Sequence, residues 1–216
     1  MGRPPRPIIS RNLAAKAALA EIDKLGLEGF GLSDVAARLG VKTPSLYHHF
    51  KNKDELLGEV ARLLLIEAPL PEPVAGLDWR EEVVRIARAS RRAVLRHPNS
   101  AALLLRFFPR RMLIGAYERW VAIFALNGVP VEWRVLVLEG ADKLTFGSAL
   151  FGAASRATQT DSDPEIEPGR YPYFTQALEA NTLDDEETFV VCLRAFLHGL
   201  PLDRPPPVTW RADKPN

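Results

Sequence analysis

The sequence predicts an all-α protein in two parts, and three observations carry that reading. Alternation of apolar and polar residues with a period of two is almost absent, so strands are not expected. Helix starts and stops recur along the whole chain: capping residues, prolines at first positions, glycines at ends. Pro69, Pro71, Pro73 and Gly76 interrupt them in one cluster, which is the clearest domain boundary and separates residues 1–68 from 69–216.

The elements follow in order. A first helix is expected from Ser10, as N-cap, to Gly26, with Leu13, Ala17, Ile22 and Leu25 on its inner face. A short second helix spans about Ser33–Leu39, and Gly40 stops it. Thr43-Pro44 restarts the chain as N-cap and first helical residue of a helix reaching Phe50. Asn52 and Glu55 form a candidate capping box for a fourth helix, ending near Ala68. Beyond the boundary, Asp78 and Glu81 are a second candidate box, opening a helix that ends at His97-Pro98. A short segment from Ser100 to Phe108 precedes helices at about Met112–Leu126 and from Pro130 to about Ala157. Residues 158–169, polar and acidic with two prolines, read as a loop. A short helix near Tyr173–Ala180 precedes the last one, which opens on four acids at Asp184–Glu187 and runs to Leu200. The proline-rich stretch from Pro201 reads as a loosely held tail.

Composition narrows the class. With 47% hydrophobic and 25% charged residues, the chain has the balance of a folded globular protein. No apolar run approaches the roughly 18 residues of a membrane span. The opening Met1-Gly-Arg-Pro-Pro-Arg-Pro lacks an apolar signal segment, so a cytoplasmic protein is expected. A single cysteine, Cys192, excludes an intrachain disulfide and a cysteine-based zinc site, and no cofactor is expected. Residues 1–65 hold 10 basic and 7 acidic residues, a balance of +3, while the whole chain is at +1, leaving −2 for the rest. A basic end on a near-neutral chain suits either a nucleic-acid module or a solubilising terminus.

The stretch Leu32–Lys53 decides between them. It encodes a short helix, a glycine turn and a second short helix that starts on proline. Val35, Ala36, Leu39, Val41, Leu46 and Phe50 are spaced to make one small core that fixes the angle between the two. Thr43, Ser45, Tyr47, His48 and His49 are left facing outward, all able to reach phosphates or base edges from a helix that fits a major groove. An ordinary helical hairpin with a solvated face would share the pattern.

Residues 8–66, and above all the run LGVKTPSLYHHFKNKDELL from Leu39 to Leu57, resemble the DNA-binding domain of the TetR (tetracycline repressor) family of bacterial regulators. The resemblance implies a three-helix helix-turn-helix unit whose recognition helix is Thr43–Phe50. It also implies DNA contact from Ser33, Thr43, Pro44, Ser45, Tyr47, His48 and His49, with Lys53 approaching the phosphate backbone. A lysine beside the free N–H groups of a helix start is in any case a phosphate seat. Arg3, Arg6 and Arg11 make a basic arm, either for the minor groove or for non-specific attraction; the second is favoured.

The second part resembles the same family's helical ligand-binding and dimerisation domain, through DWREEVVRIARASRRAVLRHPNSA, AYERWVAIFALNG, LTFGSALF and FVVCLRAFLHGL. Double-stranded operator DNA, a small-molecule effector and a second copy of the chain are the partners this implies. Tetracycline-binding members use a histidine and a glutamate around a magnesium–drug complex. Leu104 and Phe151 fall at about those positions and cannot bind a metal, so no metal site and a different effector are expected. Leu104, Phe107, Phe108, Trp120, Phe124, Phe146, Phe151 and Phe174 are the candidate lining of an aromatic-rich pocket, and ordinary core packing would use the same residue types. Arg106, Asn127 and Gln176 are candidate polar groups there.

Two further patterns concern dimerisation. Phe189, Cys192, Leu193, Phe196, Leu197 and Leu200 form a continuous stripe. Gly140, Ala141, Gly147 and Ser148 permit close approach on the penultimate helix. Core packing would use this arrangement too; an interface of residues 131–156 and 184–200 is favoured. No HExxH, GxSxG, phosphate loop or carboxylate pair appears, so an enzyme is not expected. A DNA-binding regulator without ligand sensing is the alternative, and the size of the aromatic-rich domain argues against it.

Overall fold

A computed structural model describes residues 9–66, 74, 76–158 and 169–206, without the side chains of 110–112 and 157–158. All regular structure among the described residues is helical. The elements are α1 (Arg11–Gly29), α2 (Leu32–Arg38), a 3-10 helix (Thr43–His48), α3 (Lys53–Ile66), α4 (Trp79–Leu95), α5 (Pro98–Ala101), α6 (Leu103–Phe107), α7 (Arg110–Leu126), α8 (Val131–Thr158), α9 (Pro172–Ala180) and α10 (Asp185–His198). Residues 67–68, the three boundary prolines, the expected loop at 159–168 and the tail from 207 lie outside the described residues.

Local chemistry sets the starts. The Ser10 hydroxyl accepts the Leu13 N–H at 3.1 Å and opens α1. α1 passes Gly26, the expected stop, because that glycine takes φ 77° and kinks the helix into one more turn. On its inner face Ala17 and Ile22 are buried as expected, but Leu13 and Leu25 are exposed, and Ala14, Ala15, Ala18 and Leu19 are buried instead. Small residues let α1 lie close to α3, and that closeness outweighs the larger side chains. Thr43 is not an N-cap. Lys42 holds that place, and the segment winds as a 3-10 helix ending at His48, with Ser45 N–H to the Lys42 carbonyl at 2.8 Å. Pro44 sits in its first turn as expected.

Both candidate boxes are half made. Asn52 Oδ1 accepts the Glu55 N–H at 2.9 Å, but Glu55 reaches past Asn52 to the Lys51 N–H at 2.7 Å. Asp78 caps α4 through the Arg80 N–H, while Glu81 turns away to Arg194 of α10. α4 ends at Leu95, and the single segment expected at Ser100–Phe108 is the two short helices α5 and α6. At α10 the box is complete, between Asp184 and Glu187.

Two apolar cores hold the helices. The first is built on α1, α2, the 3-10 helix and α3, and continues into Val94, Leu95, Ala101, Leu103, Leu104, Ala149 and Ala153. The second joins α4, α7, α8 and α10 through Trp79, Val83, Phe124, Trp133, Val137, Phe189, Leu193 and Leu197. The stripe expected to face a second copy is therefore divided. Phe189, Leu193 and Leu197 are buried in their own chain. Phe196 covers Gly140, where even a Cβ would stand 2.2 Å from Cζ of its ring. Cys192 is exposed.

Polar clasps bind α10 to the bundle. Arg91, 2% exposed, donates to Ser148 Oγ at 2.8 Å and to Asp185. Glu186 is drawn down to about 2 by hydrogen bonds from Arg92 and then Arg88, against the opposing effect of burial. This clasp therefore stays charged until the pH is far below the ordinary carboxylate range.

Candidate nucleic-acid interface and effector cavity

The small core expected for the two short helices is present. Val35, Ala36, Leu46 and Phe50 are buried, with Leu39 and Val41 packed against them. Gly40, at φ 65°, makes the turn between. With Leu46 and Phe50 pointing inward, the other side of the 3-10 helix is free of the core. Tyr47 and His48 are exposed there, Thr43, Ser45 and His49 half-buried, and Pro44 exposed at the start. Ser33, in the first turn of α2, is also exposed.

Two basic residues have partners within the fold that the sequence did not indicate. Lys53 is half-buried, with Nζ donating to the Phe30 carbonyl at 2.9 Å and lying 4.1 Å from the Phe30 ring centre. It fastens the α1–α2 connection to the start of α3. Arg11 is not part of an arm: it donates to the His49 carbonyl, to Glu55 Oε1 at 2.8 Å and to Glu59 Oε1 at 3.5 Å. Arg3 and Arg6 lie outside the described residues.

In the second part, a cavity of about 110 Å³ opens between α3, α4, α7 and α8. Its wall includes Leu65, Val83, Ile86, Trp120, Phe124, Leu138 and Phe146, with Ser90, Tyr117, Asp142 and Thr145 as polar groups. An apolar groove of about 640 Å³ adjoins it, lined by Leu104, Phe108, Ile114, Val121, Val135 and Leu150, and shares Tyr117, Leu138, Asp142 and Phe146. On that shared wall the Tyr117 hydroxyl donates to Asp142 Oδ2 at 2.9 Å. Phe108 and Phe146 meet edge to face at 5.1 Å, as do Trp79 and Phe124 at 5.3 Å.

Residues 15–60 match the model of "Bacterial regulatory proteins, tetR family", and residues 70–202 match "Tetracyclin repressor-like, C-terminal domain". The chain belongs to the TetR family.

Among curated relatives, the class D tetracycline repressor of Escherichia coli is 28% identical, over 89% of this chain and 86% of its own length. The HTH-type transcriptional repressor DrrR1 of Streptomyces coeruleorubidus is 32% identical, over 92% and 79%. Among solved structures, a tetracycline repressor variant from Acinetobacter baumannii AYE in complex with minocycline superposes with a TM-score of 0.74 at 25% identity. It covers 88% of this chain and 92% of that one. The ActR protein of Streptomyces coelicolor in complex with (S)-DNPA gives 0.68 at 25%, over 88% and 96%. As a TetR-family member the protein is a DNA-binding regulator and not an enzyme.

Five of the eight residues expected at the effector site, Leu104, Phe108, Trp120, Phe124 and Phe146, line one or both cavities. Three are elsewhere in the single chain. Phe107 packs toward Gly58 of α3, Phe151 is 81% exposed on α8, and Phe174 is exposed on α9. The expected polar groups are also elsewhere: Arg106 pairs with Asp54 at 2.7 Å, Asn127 donates to the Ile123 carbonyl, and Gln176 is exposed. Tyr117 and Asp142 stand in their place. Asp142 lies among the charged Glu139 and Lys143 on α8, so nothing in the sequence singled it out, and nothing marked Leu65, at the far end of α3, as a cavity wall. No group of three or more potential metal ligands occurs among the described residues. No helix among them is long and apolar enough to cross a membrane.

Proposed function

We propose that this protein is a cytoplasmic repressor whose residues 1–68 read operator DNA and whose residues 69–216 sense an effector and dimerise. The observation that carries this reading is the outward polar face of Thr43–His49 on a fixed apolar core. Ser33, Thr43, Pro44, Ser45, Tyr47, His48 and His49 are assigned to the operator. Lys53 gives one donor to Phe30 and keeps others for a phosphate. Tyr47→Ala is expected to weaken operator binding while leaving the fold intact, since the ring is exposed and holds no core position. The fall should be about tenfold or more, a loss of about 1–3 kcal/mol for one specifying contact. Electrophoretic mobility shifts on a duplex enriched by the wild-type protein measure it; unchanged affinity removes the helix from the interface.

The effector is assigned to the joined cavities, lined by Leu104, Phe108, Trp120, Phe124 and Phe146, as a largely apolar or aromatic molecule bound without metal. Leu65 gives this site a direct mechanical link, because it belongs to α3, the helix whose first turn holds Lys53 and Glu55. A ligand that moves Leu65 moves the support of the recognition helix. The ligand shifts DNA affinity only by its preference between the two poses: about 3 kcal/mol gives about two decades. Release of the DNA complex by an apolar aromatic inducer should be the same with and without a chelator; release that needs a divalent ion overturns the metal-free assignment.

A further inference from the structure

We propose that Arg11 is a positioning residue that sets the pose of the recognition helix against DNA; the inference rests on the reading that Thr43–His49 faces the operator. The recognition helix is short and winds as a 3-10 helix, whose hydrogen bonds are poorer than those of an α-helix. Only Leu46 within it is buried, so the core fixes its position but holds its tilt weakly. Its C-terminal end, where His48 and His49 sit, leaves carbonyls without helical partners.

Arg11, the first residue of α1, closes that end from three sides. Its Nη1 donates to the His49 carbonyl and to Glu55 Oε1, its Nη2 reaches Glu59 Oε1, and its guanidinium carbon stands 4.5 Å from the centre of the Phe50 ring. Glu55 continues the link, because its other oxygen takes the Lys51 N–H at 2.7 Å and so fixes the turn leaving the helix. The Lys51 N–H, followed by Arg11, holds the Glu55 carboxyl below its ordinary range, which keeps the link charged at neutral pH. A planar fork can serve a carbonyl, two carboxylates and an aromatic face together, which a lysine ammonium cannot. The pose of the helix is thus tied to both α1 and α3.

A direct phosphate contact by Arg11 predicts a different outcome, and charge separates the two. Glu55 is an acid beside the DNA face. If only charge mattered, Glu55→Gln would tighten DNA binding; if pose matters, it must weaken sequence-specific binding. The test uses full-length wild type, Arg11→Ala, Arg11→Lys and Glu55→Gln. The probes are a duplex enriched by the wild type from randomised DNA and a scrambled duplex, titrated over a range of salt.

Arg11→Ala and Glu55→Gln are each expected to lower the ratio of specific to scrambled affinity about tenfold. Affinity for the scrambled duplex and the salt slope should stay near wild type, and Arg11→Lys should recover only part of the ratio. Equal loss on both duplexes, with the salt slope of Arg11→Ala shallower by about one, overturns the proposal in favour of a phosphate contact. Tighter binding by Glu55→Gln overturns it as well, and that arm stands even if Arg11→Ala does not fold. A wild type that enriches no sequence fails earlier, at the DNA-reading assignment itself.

Discussion

Gly140→Leu is expected to destabilise the folded protein by about 1–3 kcal/mol, although leucine is the better helix former. Gly140 lies within α8, and an added Cβ would stand 2.2, 2.8 and 2.9 Å from three atoms of the Phe196 ring. Those distances are far inside van der Waals contact, so either the ring leaves its seat or α10 lifts from α8. Replacing glycine within a helix favours the variant by about 0.5–1 kcal/mol. Overpacking of a formed contact costs about 1–3 kcal/mol, and the displaced ring also loses apolar burial. The loss wins.

In a chain of this size each kcal/mol lowers the melting temperature by about 2–4 °C, compared at equal protomer concentration. The same change made in a Phe196→Ala background should reverse sign, because the obstruction is gone and only the helical gain remains. The two backgrounds then differ by a coupling of more than about 1 kcal/mol. A Gly140→Leu protein as stable as wild type would show that Phe196 does not rest on α8.

This contact marks where sequence reading reaches its limit. The elements were legible because their signals are local. Ser10, Pro44 and the Asp184–Glu187 pair sit at helix starts as written, and Gly40 takes a left-handed turn. The core of the short-helix pair was legible as well, since its spacing allows one packing. What periodicity does not contain is the identity of the neighbour. The α10 stripe reads the same whether it meets its own chain or another, and Phe189, Leu193 and Leu197 meet their own. On α1, alanine spacing outweighed leucine size because α3 comes close, a fact of the tertiary fold.

Charged residues were the least legible. Arg11 in a basic terminus reads as an arm, and its partners His49, Glu55 and Glu59 stand at least 38 residues away in sequence. Lys53 carries the same lesson, since its partner Phe30 lies across the α1–α2 connection. At the cavity, aromatic composition located Phe108 just past α6, Trp120 and Phe124 of α7 and Phe146 of α8. It did not separate Phe151, whose ring points away from its own chain.

Phe151→Asp is expected to give a folded monomer that has lost operator affinity by about two decades or more. Phe151 is 81% exposed in the single chain, an unusual place for so large an apolar ring. Leu136, Lys143, Gly147 and Phe151 follow one another along a single side of α8 at helical spacing. α10 lies beside it and exposes Val191 and Cys192. These surfaces are the proposed contact between two copies: Phe196 holds α10 to α8 in its own chain, and the exposed Phe151 is assigned to the partner.

A two-fold interface presents each residue twice, so one substitution places two carboxylates in the proposed interface. Each would be desolvated without a partner, at a cost of several kcal/mol. Because the ring has no role in the core of its own chain, helix content by circular dichroism should remain that of wild type. That separates this variant from Gly140→Leu, which loosens the chain itself. Operator affinity should fall because one recognition helix alone forfeits the second half-site, and linked sites gain about 10²–10⁴ over single ones. Paired recognition helices would read half-sites about 34 Å apart, one turn of DNA, and a monomer cannot. Sedimentation equilibrium at micromolar concentration gives the assembly state, and Phe151→Leu, which keeps an apolar side chain, should remain dimeric. A dimeric Phe151→Asp protein with wild-type operator affinity would move the interface off this side of α8.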